Sequence, residues 1–526
     1  MLQTSSASPP GEAVELARPW PTYIVLLVSC FITIEAAAFQ APAIPTIAHF
    51  FGVSAGLSAL IALVYYLGLV VFSPVFGRAA DRYGRKRILM VGLAMFSLSE
   101  FAAAAVPNFT LLILARFFQG ISVACILPVI LSYIAYLFPQ EKRGMPLGVM
   151  VFSMSLGATT GAIIGGLMID HLGWRSVYWV SGILALLGLA LVAWRVPETT
   201  RNDRPWRLDW PGMLLLLLSV GALLSVPTWI SNFGFASWQA LLALAGGVGG
   251  FILLWHSQQR SVSPVLDIGI LRQRNFLVPG VIYLLFLIVY GGTIYSLAFF
   301  VNDRPGGSAS QVGLVNMFAY GASMLAGLIS GKLVDWFAEK TVIIGIVLLM
   351  FCGLFLYTTI GLDTSIWIVC AIAMVLGLAQ GMKGPAITKI ALGAVPREQM
   401  GAGSGMFSMM RDFGTPAGVS VGLALYGATL ARRTSETLEV RAAGLGLNDD
   451  YLPALAEALA SSGASVPPEL HTQLVILGVD YAELVADSRL DGMAATLPQV
   501  GYILYVVLAL AAILTLLLTR VNKTPS

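Results

Sequence analysis

Among the ionisable residues inside long apolar segments of this sequence, four are the leading candidates for chemistry, because a side chain that gains or loses a proton is unusual there. They are Glu35, Arg116, Arg411 and Asp412. A charge at the centre of a bilayer costs about 2.5–3.5 kcal/mol on insertion scales, so each residue is a candidate functional group. Burial favours the neutral form of a carboxyl group, as a proton carrier requires. The pattern predicts proton coupling, with Glu35 as the first candidate and Asp412 as the second.

Arg116 and Arg411 are also predicted to take part in proton coupling, although not as proton carriers, because a guanidinium group keeps its charge. Arg116 is suited to stabilise a deprotonated carboxylate, and structural bonding of helix-end carbonyls is the alternative. Adjacent residues on a helix point about 100° apart, so Arg411 and Asp412 are expected to find partners on other helices. A structural ion pair remains the alternative for Asp412, and a hydrogen bond to a neighbouring helix remains the alternative for Glu35.

Three other charged residues are expected to reach water or lipid headgroups. Lys383 and Lys389 are predicted toward the cytoplasmic end of one span, where long side chains can extend to the interface. Glu100 is predicted near an outer helix end, in contact with solvent. No phosphate-binding loop, Ser/His/Asp order or metal-ligand spacing occurs in the sequence. We therefore predict no cofactor, no metal ion and no enzyme activity.

The elements that must position these residues are membrane-spanning helices. Of 526 residues, 57% are hydrophobic and 11% are charged, whereas soluble proteins carry about 25% charged residues. Apolar runs long enough to cross a bilayer recur along the chain, and helices satisfy their own backbone hydrogen bonds in lipid. The net charge of +3 is scattered through loops, so no nucleic-acid partner is expected. The predicted spans are residues 22–44, 55–76, 88–106, 109–136, 145–169, 176–195, 210–230, 238–256, 276–301, 309–331, 341–361, 364–390, 401–429 and 499–519.

The basic residues predict the orientation of the chain. Twenty Lys and Arg residues fall on the side that holds both termini, and six fall on the opposite side. Both termini are therefore predicted to be cytoplasmic, at the plasma membrane, which in a bacterium is the inner membrane. The predicted parts are a tail at 1–21, a six-helix bundle at 22–195, linkers with two additional spans at 196–275, a second six-helix bundle at 276–519 and a tail at 520–526. The acidic insert 430–498 within the second bundle is predicted outside, and it includes short amphipathic helices at 452–460 and 470–490.

An internal repeat supports two homologous six-helix halves. Gly77 and Asp81 recur as Gly331 and Asp335. A ladder of five glycines recurs 257 residues later: Gly144, Gly148, Gly157, Gly161 and Gly165 correspond to Gly401, Gly405, Gly414, Gly418 and Gly422. Duplicated halves of this kind are how many transporters build a midplane cavity that opens to either side.

The segment from Gly77 to Arg87, which reads GRAADRYGRKR, closely resembles the loop signature after the second span of the major facilitator superfamily. The plan of six, two and six spans resembles its fourteen-span drug:proton antiporter branch. So do the RFFQG segment at 116–120 and the DWPG segment at 209–212. The glycine-rich segment of span 5 resembles the antiporter signature, with Ala162 in place of its proline. This resemblance implies an all-α major facilitator fold and export of small apolar or cationic compounds in exchange for protons.

The resemblance and the repeat together nominate residues for three structural roles. Those predicted to form a conformational latch between the halves are Gly77, Asp81, Gly84, Arg85, Gly331 and Asp335. Asp81 is expected to pair with Arg85 or with a helix N-terminus. Those predicted to permit close helix packing are Gly157, Gly161, Gly165, Gly414 and Gly418. Those predicted to line a substrate cavity are Phe39, Gln40, Gln119, Tyr290 and Phe407.

Two other functional classes remain open from the sequence. The chain is alternatively a dedicated exporter or importer of one endogenous metabolite or lipid. It is alternatively a membrane sensor with a transporter-like body, which uses the acidic segment 430–498 to contact an extracytoplasmic partner. Transport of several unrelated compounds distinguishes the multidrug exporter from both.

Overall fold

The computed structural model describes residues 19–40, 43–53, 60–199, 208–233, 237–261, 263–444 and 480–518. These residues are helical, and no strand occurs among them. The first half contains α1 Pro19–Gln40, α2 Ala43–Phe51, α3 Leu60–Tyr83, α4 Arg85–Ala105, α5 Phe109–Leu137, α6 Gly144–Leu172 and α7 Arg175–Arg195. The remainder contains α8 Trp210–Phe233, α9 Trp238–Arg260, α10 Ile268–Leu271, α11 Arg274–Asp303, α12 Ala309–Trp336, α13 Glu339–Thr358, α14 Ile366–Gly393, α15 Met400–Gly444 and α16 Tyr481–Leu516.

Each of the fourteen predicted spans coincides with a helix. Within the described residues, twelve helices are long and apolar enough to cross a membrane, and Trp210–Val226 in α8 is a shorter apolar stretch. Helix α15, which covers the predicted thirteenth span, is not among the twelve because polar residues and glycines lower its hydropathy. The all-α polytopic fold is confirmed, while the count of fourteen crossings stays a prediction.

Several predicted boundaries are wrong by more than a turn. Helix α3 continues to Tyr83, so the segment expected as a loop is mostly helical and only Gly84 interrupts it. Helices α15 and α16 extend beyond the predicted spans because they pair with each other there. Arg441 of α15 lies 2.9 Å from Asp487 and 2.6 Å from Asp491 of α16. The predicted short helix at 452–460 lies outside the described residues, and residues 481–490 belong to α16.

The two halves meet through two equivalent helix crossings. Helix α3 of the first half packs on α15 of the second, and α12 of the second half packs on α6 of the first. Both crossings bring glycines together, so the internal repeat of the sequence appears in space as a pair of matching contacts. A Cβ atom on Gly331 would lie 2.7 Å from the carbonyl oxygen of Gly144, which explains why the crossing requires glycine.

The additional helices α8 and α9 pack on each other, and α8 also contacts α3 and α15. The segment after α9 is tied to the first half by an ion pair of 3.0 Å between Arg78 and Asp267. Gln258 of α9 donates a hydrogen bond of 2.7 Å to Asp209, which precedes α8. Polar contacts at one end of the bundle therefore attach the additional pair to the two halves.

Candidate functional site

A cavity of about 900 Å³ lies between the two halves. Helices α1, α3, α5 and α6 contribute its wall on one side, and α11, α12, α14 and α15 contribute it on the other. Most lining positions lie far from the end where α3 meets α15 and α6 meets α12. We call that closed end the latch end. It holds Gly84, the 3-10 turns at 140–142 and 397–399, and the start of α13.

Five tyrosines line this cavity, which makes its surface both aromatic and capable of hydrogen bonding. They are Tyr65, Tyr66, Tyr283, Tyr295 and Tyr320. Tyr65 and Tyr66 meet edge to face with ring centroids 5.3 Å apart. Rigid rings with polar tips can accommodate apolar compounds of different shape while offering hydrogen bonds to a few polar groups.

One charged pair, Arg411 and Asp412 of α15, lies in the wall of the cavity. Arg411 Nε lies 2.7 Å from Asp412 Oδ1, and a second guanidinium nitrogen lies 3.1 Å from Oδ2. The expectation that these neighbours would not pair is wrong. The arginine side chain is long enough to bend back over one residue, and the buried wall favours neutralising both charges locally.

Lys383 of α14 lies near the cavity, a position that the sequence did not predict. Only 1% of it is exposed, so the expectation that it extends to the membrane interface is wrong. Its ammonium group lies 2.5 Å from Gln380 Oε1 and 4.6 Å from the ring centroid of Tyr283. Gln380 and Tyr283 both line the cavity, so Lys383 is one side-chain layer behind the wall. A lysine inside an apolar segment, one helical turn after the polar Gln380, was the available signal.

Glu35 of α1 is 6% exposed and faces neither lipid nor bulk water. Its neighbour Ile34 lines the cavity, while Glu35 itself does not. Gly157 of α6 permits a close approach here, because a Cβ atom on it would lie 3.3 Å from the backbone nitrogen of Glu35. Helix α1 thus packs closely on α6 at Glu35, next to the cavity wall.

Arg116 of α5 is buried behind the cavity wall and is well bonded. Its Nε donates to the carbonyl of Ile61 at 3.1 Å, and another guanidinium nitrogen donates to Gln119 at 2.9 Å. The guanidinium carbon lies 4.9 Å from the ring centroid of Tyr65, whose side chain separates it from the cavity. This position is compatible with both predicted roles of Arg116, which are the bonding of helix carbonyls and the stabilisation of a deprotonated carboxylate.

Glu100 of α4 is fully buried, so the expectation that it is solvated is wrong. Helix α7 covers it, since Ser97 Oγ donates to the carbonyl of Gly182 at 2.8 Å one turn earlier in α4. Gly92 of α4 packs on Ser122 and Cys125 of the antiparallel α5. Glu100, two turns beyond Gly92, therefore lies at about the level of Arg116.

At the latch end, two aspartates each cap a helix of the opposite half. The carboxylate of Asp81 accepts hydrogen bonds from the backbone nitrogens of Gly401 and Ala402 at 2.8 and 2.9 Å. The carboxylate of Asp335 accepts from Gly144 and Met145, both at 3.0 Å. Negative charge at a helix N-terminus is stabilising, so both contacts hold the halves together.

Basic residues complete each of these contacts, although they come from different places. Arg85 lies 3.5 Å from Asp81, so this aspartate pairs with both of its expected partners. Lys389 lies 3.2 Å from Asp335 and 3.5 Å from Glu339, which explains its burial at this end instead of at the headgroups. Gly84 has a φ of 101°, a conformation that glycine adopts without strain, and this lets the chain turn sharply between α3 and α4.

The remaining nominated residues lie away from the cavity surface. Gln119, Tyr290 and Phe407 are buried behind the wall, with Phe407 packed on Tyr283 at 5.6 Å between ring centroids. The side chains of Phe39 and Gln40 lie outside the described part of the structure. The packing glycines Gly161, Gly165, Gly414 and Gly418 lie in the interior or between helices of their own half, and Gly414 and Gly418 both pack on Leu287 of α11.

Two helical halves around a shared cavity, closed at one end by equivalent contacts, define a membrane transporter. Residues 26–419 match the Major Facilitator Superfamily, so the chain belongs to this family and is a transporter, not an enzyme. It is 30% identical to the multidrug resistance protein Stp of Mycobacterium tuberculosis, over 76% of this chain and 73% of Stp. It is 26% identical to the multidrug efflux pump LfrA of Mycolicibacterium smegmatis, over 94% of this chain and 96% of LfrA.

The same fold occurs in a solved structure of distant sequence. The human organic anion transporter MFSD10 aligns with a TM-score of 0.61 over 96% of this chain and 100% of its own, at 15% identity. The comparison confirms the major facilitator fold. Together, these findings establish an integral membrane protein that acts on small molecules within the superfamily.

Proposed function

We propose that this chain is a proton-coupled exporter of small apolar or cationic compounds, located in a bacterial plasma membrane. The observation that carries the proposal is the cavity of about 900 Å³ between the halves, with the Arg411–Asp412 pair in its wall. The names of Stp and LfrA support drug efflux as the direction of transport. The tyrosine-rich wall supports apolar aromatic compounds as substrates. The carboxylate of Asp412, once released by Arg411, supports cationic compounds as substrates.

The mechanism we propose is alternating access between the two halves. If the latch end is cytoplasmic, as the distribution of basic residues predicts, this structure is closed to the cytoplasm and its cavity lies in the outer half. Protonation of Glu35 and Asp412 would remove negative charge from the midplane and permit the halves to rock. Arg116 would stabilise a deprotonated carboxylate nearby. In the state that is open at the latch end, Asp335 and Asp81 would release the N-termini of α6 and α15.

The test uses purified protein in proteoliposomes with and without a pH gradient. We expect a gradient to drive accumulation of several unrelated apolar or cationic compounds, and Glu35→Gln to abolish the drive while exchange without a gradient persists. Asp363→Asn is the matched control, because Asp363 is exposed in a loop between α13 and α14. Transport of one compound alone would favour the dedicated transporter, and binding without flux would favour the sensor. Full gradient-driven transport by Glu35→Gln would remove Glu35 from the mechanism.

A further inference from the structure

Lys383 differs from Arg411 and from Lys389 in the groups that surround its basic side chain. Arg411 is paired with Asp412 at 2.7 Å. Lys389, two turns further along the same helix, has Asp335 and Glu339 within 3.5 Å. Among the described residues, no carboxylate forms an ion pair with Lys383. Within the described part of the chain, helix α14 thus carries one lysine with two acidic partners and one with none.

The groups that do surround Lys383 compensate its charge weakly. Its ammonium group donates to the side-chain oxygen of Gln380 at 2.5 Å and to the backbone carbonyl of the same residue at 3.4 Å. The face of the Tyr283 ring lies 4.6 Å away. Dipoles and a ring quadrupole stabilise a cation less than a carboxylate does, and a buried charge without a counter-charge is costly. The site is therefore suited to an anionic group that enters from elsewhere.

The cavity is the route by which such a group can arrive. Gln380 and Tyr283 both line it, and both contact the ammonium group. Gln380 is an unbranched side chain, and rotation about its side-chain bonds would expose Lys383 to the cavity without movement of α14. Because Arg411 and Asp412 neutralise each other, Lys383 is a basic side chain beside this region of the cavity that has no acidic partner among the described residues.

We propose that Lys383 is a specificity-determining residue that binds the acidic group of aromatic substrates. This inference rests on the proposed transport function and names a further substrate class for the same cavity. An aromatic acid would place its ring among Tyr66, Tyr283 and Tyr320, and its carboxylate would replace Gln380 as the partner of the ammonium group. Neutral and cationic compounds would leave Gln380 in place and would not use Lys383.

The experiment compares two probes of nearly equal shape, 1-naphthoate and 1-naphthamide, on the purified full-length protein. Calorimetric titration gives the Kd of each probe, and we expect the wild type to bind the acid more tightly than the amide. Lys383→Met should weaken binding of the acid by about tenfold to a hundredfold, the range for a hydrogen bond to a charged group. Binding of the amide should change little. Lys383→Arg should retain the preference for the acid, and Lys332→Met is the control because Lys332 is exposed in α12.

Several results would overturn the inference. Equal Kd values for the two probes in the wild type would do so without any variant. So would a loss of affinity in Lys383→Met that is the same for both probes. Methionine is unbranched like lysine, is one atom shorter and has no basic group, so we expect no loss of thermal stability. Lys383→Gln provides a second neutral variant. If binding follows the prediction while no compound is transported in proteoliposomes, the transport function fails and the binding site stands.

Discussion

A methyl group added at a glycine of the latch end should open that end. A Cβ atom on Gly331 would lie 2.7 Å from the carbonyl oxygen of Gly144 and 3.2 Å from the Cα of Gly148. Ordinary contact begins at 3.4 Å, so the backbone of α6 must move back by about 0.7 Å. Both neighbours are backbone atoms and cannot rotate away. Overpacking of this kind costs about 1–3 kcal/mol, and only in the closed state.

That cost translates into a shift of the conformational equilibrium. A difference of about 1–3 kcal/mol changes the ratio of closed to open molecules by roughly 5- to 150-fold. Gly77→Ala should have the larger effect, because its Cβ atom would approach the carbonyl oxygen of Gly401 more closely still. Gly321→Ala is the matched control: it lies in the same helix as Gly331, and nothing lies within 4 Å of its added Cβ atom. Both alanines gain the same helix propensity, so that term cancels.

Pulsed electron spin resonance measures the outcome directly. Spin labels on Arg87→Cys and Phe337→Cys occupy exposed positions of opposite halves at the latch end, and Cys352→Ser removes the exposed native thiol. We expect the fraction of molecules with a longer interspin distance to increase in Gly331→Ala and to become the majority in Gly77→Ala. Distance distributions that are the same in Gly331→Ala and Gly321→Ala would refute the reasoning, because the latch glycines would then have no role in closure.

The other predictions concern the charged contacts. Asp412→Asn should lower stability by up to about 3 kcal/mol, because it leaves Arg411 buried without its partner, and adding Arg411→Met should restore the melting temperature measured in detergent. A melting temperature that falls further in the double variant would contradict this. Asp81→Asn should raise the accessibility of the latch end to water-soluble thiol reagents, since a cap of this kind is worth about 1–2 kcal/mol. The same labelling pattern as the wild type would show that the cap does not hold the closed state. Arg441→Met should change the melting temperature hardly at all, because its ion pairs with Asp487 and Asp491 are exposed and worth about 0–1 kcal/mol each. A large loss of stability would mean that the paired extensions of α15 and α16 are an essential part of the fold.

The sequence predicted the helical architecture well, because a lipid environment leaves few alternatives. Apolar length and the need to satisfy backbone hydrogen bonds identify each span from local residues alone. The boundaries failed where a helix leaves the apolar layer. Helix α3 continues to Tyr83 and α16 begins at Tyr481, since contacts with other helices stabilise these polar ends. Hydropathy does not report such contacts.

The candidate site was predicted less completely, because burial and pairing depend on which helix faces which. The sequence identified Glu35, Arg116 and Asp412 as unusual, but it assigned Glu100 and Lys383 to water. Both are buried because neighbouring helices cover them. The pairing of Arg411 with Asp412 was also missed, since helical geometry fixes where the Cβ atoms point but not how a long side chain bends.

By itself, the sequence determined that this chain is an all-helical membrane protein with two related halves, since composition, span length and internal repeats are local properties. The tertiary structure alone decided that Asp81 and Asp335 cap helices of the opposite half. It also decided that Lys383 lies behind the cavity wall with no acidic partner among the described residues. These facts concern residues that are far apart in the chain. Their distances follow from how the helices pack and rotate against one another, which no local pattern specifies.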